Sequence, residues 1–239
     1  MHRCFVDYNV GTSKEILVTG DEAKHICRVL RLAEGDKLEV CDGSGLTYPA
    51  EVLSTTKSEV KLSLGQGITD ETEPKTKVYL FSGLTKGSKM DLVIQKAVEL
   101  GASYVVPVET EFAVAKEGKS ERWQRIAFEA CKQCKRPKVP KVYDSMSLDD
   151  ALNLMSQLDL SICAYEREDK QGIKDVLKDT SVSTLGIFIG PEGGFSEREI
   201  IKLKENGVNI VSLGKRILRT ETASIATLTI VMHILGELE

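Results

Sequence analysis

The chain has 239 residues, 41% of them hydrophobic and 28% charged, with a formal net charge of −4. That is the composition of an ordinary globular protein, with enough material for one large core or two modest ones. No run reaches the roughly 18 apolar residues of a membrane span, and "MHRCFVDYNV" lacks the charged-then-apolar layout of a signal peptide, so a cytoplasmic protein without membrane contact is expected.

The first seventy residues read as β-rich. The short runs "RCFV", "EILV", "KLEVCDG", "YPAEVLST" and "EVKLSLG" are separated by turn signals such as Asp42-Gly43. One helical stretch, "GDEAKHICRVLRL", interrupts them, with Asp21 as the expected N-cap and His25, Arg28 and Arg31 polar among its apolar positions. "GITDETEPKTK" then forms a polar, proline-containing hinge, which places a domain boundary near residue 72.

Beyond the hinge, strands and helices alternate. "KVYLFSGL" precedes the helical "SKMDLVIQKAVELG", with apolar residues at Leu92, Val93, Ala97 and Leu100 and Gly101 as the expected C-cap. "SYVVPV" precedes the helix "SERWQRIAFEACKQ", and the helix "LDDALNLMSQ" leads into "LSICAY". "TLGIFIG" is followed by the helix "SEREIIKLKENG", then "NIVSL", then a last helix from about Thr220 to Leu238, with Thr220 as the expected N-cap. Such alternation predicts an α/β domain, a parallel sheet covered by helices on both faces.

Two local features stand out. Residues 74–140 carry 13 basic and 7 acidic side chains, against an acidic excess on either side, and "KQCKRPKVPK" (132–141) holds five cations and no anion. A solvated helix end and a polyanion-facing patch both account for it, and charge alone does not choose between them. The CxxC pair, Cys131 and Cys134, sits near a helix end, whereas redox pairs open helices. No second CxxC exists, and His2, His25 and His233 are distant in sequence, so no metal site is expected.

Ligands of open parallel sheets bind at the carboxyl ends of the strands. Three loops stand there: "AYERED" (164–169), "GPEGGFS" (190–196) and "LGKRILRTET" (213–222). Gly190, Gly193 and Gly194 permit close approach of backbone to a ligand, and Ser196 with Glu199 forms a capping box for the next helix. A plain strand-to-helix turn would need one or two glycines and no Pro-Glu. Neither the G-x-G-x-x-G fingerprint nor the G-x-x-x-x-G-K-[ST] phosphate loop matches, which argues against a diphosphate cofactor. In the third loop Leu213, Gly214, Ile217 and Leu218 suit a flat apolar guest, and core packing suits them equally. Arg219 stands beside that loop, where it can bind a phosphate or a developing anion. No nucleophile motif is present, so the chemistry rests on positioning and electrostatics.

"HRCFV", His25 with "RVLRLAEGD", "KGSKMDLVIQKAVELG", "VPVET", "ERWQRIAFEACKQCKRPKVP", "IGPEGGFSEREI" and "LGKRILRTETA" span nearly the whole chain. Together they resemble the small-subunit ribosomal RNA methyltransferase E family, knotted enzymes of the SPOUT class that methylate N3 of a uridine in 16S rRNA. The resemblance implies a PUA-like β-barrel for RNA binding over residues 1–72. Over 73–239 it implies an α/β trefoil-knot methyltransferase domain that forms a homodimer and binds S-adenosyl-L-methionine. It carries cofactor contact to Gly190, Pro191, Glu192, Gly193, Gly194, Leu213, Gly214, Ile217 and Leu218, with the loop at Tyr165 and Glu166 as a further wall.

The expected mechanism places Arg219 against the uridine anion or its phosphate and Glu221 as proton acceptor. Arg3, His25, Arg28, Arg31, Lys86, Lys89 and Arg136 are the candidate RNA contacts, on 16S rRNA or the assembled 30S subunit. Two rivals stand beside this reading. A non-enzymatic RNA-binding module would keep the fold without the methyl donor. A dinucleotide-dependent oxidoreductase would need the fingerprint that is missing.

Overall fold

The computed structural model describes residues 2–69, 72–113, 120–178 and 181–238. The chain divides into two compact units, Met1–Glu73 with Cys131–Val139, and Pro74–Ala130 with Pro140–Glu239.

The first unit holds β1 (Arg3–Phe5), β2 (Glu15–Thr19), α1 (Gly20–Lys24), β3 (Lys37–Cys41), β4 (Leu46–Thr55), β5 (Glu59–Leu64) and β6 (Ile68–Thr69). They form one sheet in the order β1-β3-β4-β5-β2, with β6 pairing β4. Period-two patterning decides which face is buried. Ile16 and Val18 of β2 point inward opposite Leu62 and Val60 of β5, while Glu15 and Thr19 point out. These residues join Ile26, Leu38, Val40 and Val52 in one apolar core.

The expected continuous helix over 20–32 is not what forms. α1 starts at Gly20, Thr19 occupies the cap without a side-chain hydrogen bond, and Asp21 pairs with Lys24 Nζ at 2.8 Å instead of capping. The chain then widens into a π-helical turn, His25–Leu30, that ends with Arg31 in the left-handed region at φ 55°. This turn keeps Ile26 in the core while His25, Arg28, Val29 and Arg31 stay exposed.

The cation-rich stretch 132–141 is largely committed to internal contacts. Lys132 pairs with Glu22. The buried Arg136 grips Glu73 through Nε at 3.1 Å and Nη2 at 2.8 Å. Lys141 lies 4.4 Å from the centroid of the Tyr143 ring. Cys131 is a buried thiol that donates to the Lys138 carbonyl at 3.4 Å. Burial pushes it up to about 12, against a smaller opposite pull from Arg136, so it stays protonated and unreactive at neutral pH. Removing one partner of a buried ion pair strands the other's charge. Arg136→Ala is therefore expected to destabilise the protein by about 3–5 kcal/mol. Arg136→Met with Glu73→Leu should recover most of that loss in urea unfolding, because neither charge is then left behind.

The second unit carries β7 (Lys77–Gly83), α2 (Lys89–Glu99), β8 (Tyr104–Glu109), α3 (Ser120–Cys134), whose last residues belong to the first unit, β9 (Lys141–Val142), β10 (Met146–Ser147), α4 (Leu148–Met155), β11 (Leu160–Ala164), α5 (Ile173–Leu177), β12 (Thr184–Ile189), α6 (Glu197–Glu205), β13 (Asn209–Val211) and α7 (Thr220–Ile234). The sheet order is β10-β8-β7-β12-β11-β13, with β9 on β8, and every pairing is parallel. β12, "TLGIFI", is buried from Leu185 to Ile189, as a strand covered on both faces must be. β12, β11 and β13 are parallel neighbours, so their carboxyl ends lie together at one end of the sheet, where ligands of such sheets bind.

Candidate cofactor cleft

A solvent-open cleft lies at those strand ends, with a concave, largely apolar lining. Its walls come from three loops: Tyr165 and Glu166 after β11, Gly190, Pro191, Gly194 and Phe195 after β12, and Leu213, Gly214, Arg216, Ile217 and Leu218 after β13. Thr220 and Ala223 of α7 complete the lining. Backbone bonds hold the loops in register, with the Tyr165 N–H donating to the Val211 carbonyl at 3.0 Å.

Each glycine of "GPEGG" has its own reason. A Cβ on Gly190 would stand 3.0 Å from the Phe195 ring, which packs edge-on against Phe188 with centroids 4.9 Å apart. A Cβ on Gly193 would reach within 2.7 Å of the Phe112 Cβ. Gly194 adopts φ +71°, and a side chain there would press on the Glu166 carboxylate at 3.2 Å. The capping box is present: the Glu199 N–H donates to Ser196 Oγ at 3.3 Å and the Ser196 N–H donates to Glu199 Oε2 at 2.8 Å. The buried Glu199 does more than cap, since its Oε1 accepts the Glu111 N–H at 2.8 Å and ties the loop after β8 to the glycine loop.

Tyr165, Gly190, Pro191, Gly194, Leu213, Gly214, Ile217 and Leu218 all line the cleft, with Ile217 84% exposed. Glu192 and Gly193 do not. Glu192 turns back to accept the Lys86 N–H at 3.3 Å and Lys89 Nζ at 3.0 Å. Burial raises its pKa, but hydrogen bonds from its own N–H, from Lys89 and from the Lys86 N–H outweigh that and hold the carboxyl below its ordinary range. This glutamate thus fastens the glycine loop to the turn before α2.

Arg219 is exposed and is itself the cap residue of α7, without a side-chain capping bond; Thr220 is the first helical residue, not the cap. Glu221 follows, and its Oε2 is buried with no hydrogen-bond partner. Neither belongs to the lining, although Leu218 and Thr220 beside them do. His25, Arg28 and Arg31 lie exposed in the first unit. Arg3 is held by Glu39, at 2.9 Å, and by the Lys135 carbonyl, and Arg136 by Glu73, so these two guanidiniums hold the first unit together and do not face outward.

Sequence reasoning missed Phe195, Arg216, Thr220 and Ala223. Arg216 stood in plain view within "LGKRILRTET", but the string gives no sign of which arginine faces inward. Glu166 and Arg216 are the only charged residues of the lining. Among the described residues no cluster of His, Cys, Asp or Glu could hold a metal ion, and no helix is long and apolar enough to cross a membrane.

The model of an RNA methyltransferase domain matches residues 72–232, and that of an RNA methyltransferase PUA domain matches residues 18–65. Ribosomal RNA small subunit methyltransferase E of Bacillus subtilis is 35% identical, over 98% of this chain and 96% of its own. Ribosomal RNA small subunit methyltransferase E of Neisseria gonorrhoeae, solved with S-adenosyl methionine, superposes with a TM-score of 0.84 at 29% identity, covering 98% of both chains. A probable rRNA-methyltransferase of Porphyromonas gingivalis superposes at 0.87 with 27% identity over 99% of both. Fold and cleft together define an RNA methyltransferase of the α/β-knot class, built on a PUA-like barrel and a knotted α/β domain. The chain belongs to the ribosomal RNA small subunit methyltransferase E family.

Proposed function

We propose that this protein methylates N3 of a specific uridine in 16S rRNA, on the assembled 30S subunit, with S-adenosyl-L-methionine held in the cleft. The observation that carries the reading is the composition of the lining. Ile189, Leu213, Ile217 and Leu218 offer an apolar slot for a purine, and one carboxylate, Glu166, and one guanidinium, Arg216, offer partners for a zwitterionic tail. The glycine loop matches neither G-x-G-x-x-G nor G-x-x-x-x-G-K-[ST], which fits a cofactor without phosphate. When bound, S-adenosylmethionine supplies an already electrophilic methyl group.

The chain's own residues then orient the base and manage its proton. Arg219, exposed at the head of α7, stabilises the uridine anion or its phosphate. Glu221 Oε2, buried without a partner, accepts the N3 proton. Residues 1–72 serve as the RNA-binding domain and 73–239 as the methyltransferase domain. The protein works in the cytoplasm as a homodimer through its knotted domain, which the exposed Leu92 of α2 and Ile230 of α7 support.

Phosphate contacts come from His25, Arg28 and Arg31, with Lys86 and Lys89 beside the glycine loop. Every phosphate neutralised by a cation adds about 0.7–0.9 to the slope of log affinity against log salt. Arg28→Ala with Arg31→Ala is expected to flatten that slope by about 1.5 in a filter-binding titration, with S-adenosylmethionine affinity unchanged. An unchanged slope would remove both arginines from the interface.

Tritiated methyl transfer to 30S particles from cells lacking this gene, with the modified base mapped by mass spectrometry, tests the whole reading. Transfer to N3 of one uridine is expected. No transfer, together with no calorimetric heat from S-adenosylmethionine, would leave a non-enzymatic RNA-binding module.

A further inference from the structure

Methylation at N3 attacks the edge of a pyrimidine, in the plane of its ring. The two faces of the base are therefore free to be held while the reaction proceeds. The base must first leave its stack, at a cost that a new stacking partner offsets. The carboxyl end of the sheet presents such a partner. Phe5, Phe81, Phe188 and Phe195 are buried, whereas Phe112 is 44% exposed.

The exposure is not that of a slack loop. The Glu111 N–H is held by the buried Glu199 at 2.8 Å, and the Ala113 N–H closes a turn on the Thr110 carbonyl at 3.0 Å. The backbone of Phe112 presses on the glycine loop itself, its carbonyl oxygen lying 3.1 Å from where a Cβ on Gly193 would stand. Pro191 and Gly194, on either side of that contact, line the cofactor cleft. Lys86 and Lys89 meet Glu192, the residue before Gly193. An anchored, exposed phenyl ring beside the methyl-donor cleft and two cations is a platform for a nucleobase, not a fragment of core.

We propose that Phe112 stacks on the unstacked target pyrimidine and presents its N3 edge to the cleft. The inference rests on the reading of the site as a uridine-N3 methyltransferase. Phe112→Ala and Phe112→Leu are expected to lower kcat/KM on unmethylated 30S subunits by about tenfold to a hundredfold, the range spanned by base–aromatic stacking. Phe112→Trp is expected to retain activity, and the fluorescence of the added indole should be quenched when unmethylated subunits bind. Calorimetric affinity for S-adenosylmethionine and the oligomeric state should stay unchanged in all three variants.

A leucine variant as active as the parent would overturn the proposal, since stacking needs an aromatic face. So would weakened cofactor binding, which would make the ring a loop support, or an altered oligomeric state, which would make it an interface residue. A parent protein that transfers no methyl group would instead overturn the underlying reading, and this inference with it.

Discussion

Gly83→Val is expected to abolish measurable S-adenosylmethionine binding, and Gly83→Ala to weaken it at least tenfold. Gly83 ends β7, paired with Val108 of β8, where the sheet meets the glycine loop. A Cβ there would lie 2.5 Å from both the ring Cδ and the backbone nitrogen of Pro191, and 3.1 Å from the Gly190 carbonyl carbon. These are backbone and ring atoms that cannot swing aside, so the loop itself must move. Overpacking of this kind costs about 1–3 kcal/mol for a single methyl, and more for a β-branched side chain.

The displaced atoms belong to Gly190 and Pro191, which line the cleft, so the cost falls directly on the ligand. Gly207→Ala is the matching control. That residue lies just beyond α6, its Cβ would meet nothing within 4 Å, and its only penalty is the backbone angle of +78°. The control should lose some thermal stability and keep its affinity. A Gly83→Ala protein that binds the cofactor normally by calorimetry would show that the loop's position against β7 does not set the site.

The contrast between these glycines shows what the sequence could and could not reveal. Apolar patterning exposed every long strand and helix, because burial on one face leaves a periodic trace and burial on both faces of a strand leaves a continuous apolar run. The five-residue α5 and the two-residue strands β9 and β10 leave no such trace, being too short for a pattern to repeat. The π-helical turn at His25–Leu30 was equally hidden, since its residues repeat like those of an α-helix. At the site, the glycines and the capping box marked the loop after β12 as unusual, because a plain strand-to-helix turn needs only one or two glycines.

Their division of labour was not legible. Gly190 answers to Phe195, Gly193 to Phe112 and Gly194 to a left-handed angle, and Phe112 is a partner far away in sequence. Charge misled most. Arg136 sits in the most cationic decapeptide of the chain and is nonetheless buried against Glu73, a pairing that counting charges cannot see.

The pair of charges in the lining carries the second large effect. Glu166 follows β11 and Arg216 follows β13, and these strands are neighbours, with Ala164 opposite Val211. The two residues thus leave adjacent strand ends with opposite charge. An amino-acid tail carries both an ammonium and a carboxylate, and such a pair can recognise both. Arg167 does not compete for the tail, because Glu197 holds it at 3.0 Å.

Glu166→Gln and Arg216→Gln are each expected to weaken S-adenosylmethionine binding about tenfold, or about 1.4 kcal/mol. Both side chains are exposed to water, which puts them at the weak end of charged hydrogen bonds. The discriminating ligands are truncated ones. 5′-Methylthioadenosine lacks the tail and should bind parent and variants alike. Decarboxylated S-adenosylmethionine keeps the ammonium alone, so it should respond to Glu166→Gln and not to Arg216→Gln. If methylthioadenosine lost affinity along with the full cofactor, the two charges would be shaping the cleft and not reading the tail. If Arg216→Gln weakened the decarboxylated cofactor as strongly as the intact one, the guanidinium would have to be assigned to another part of the ligand.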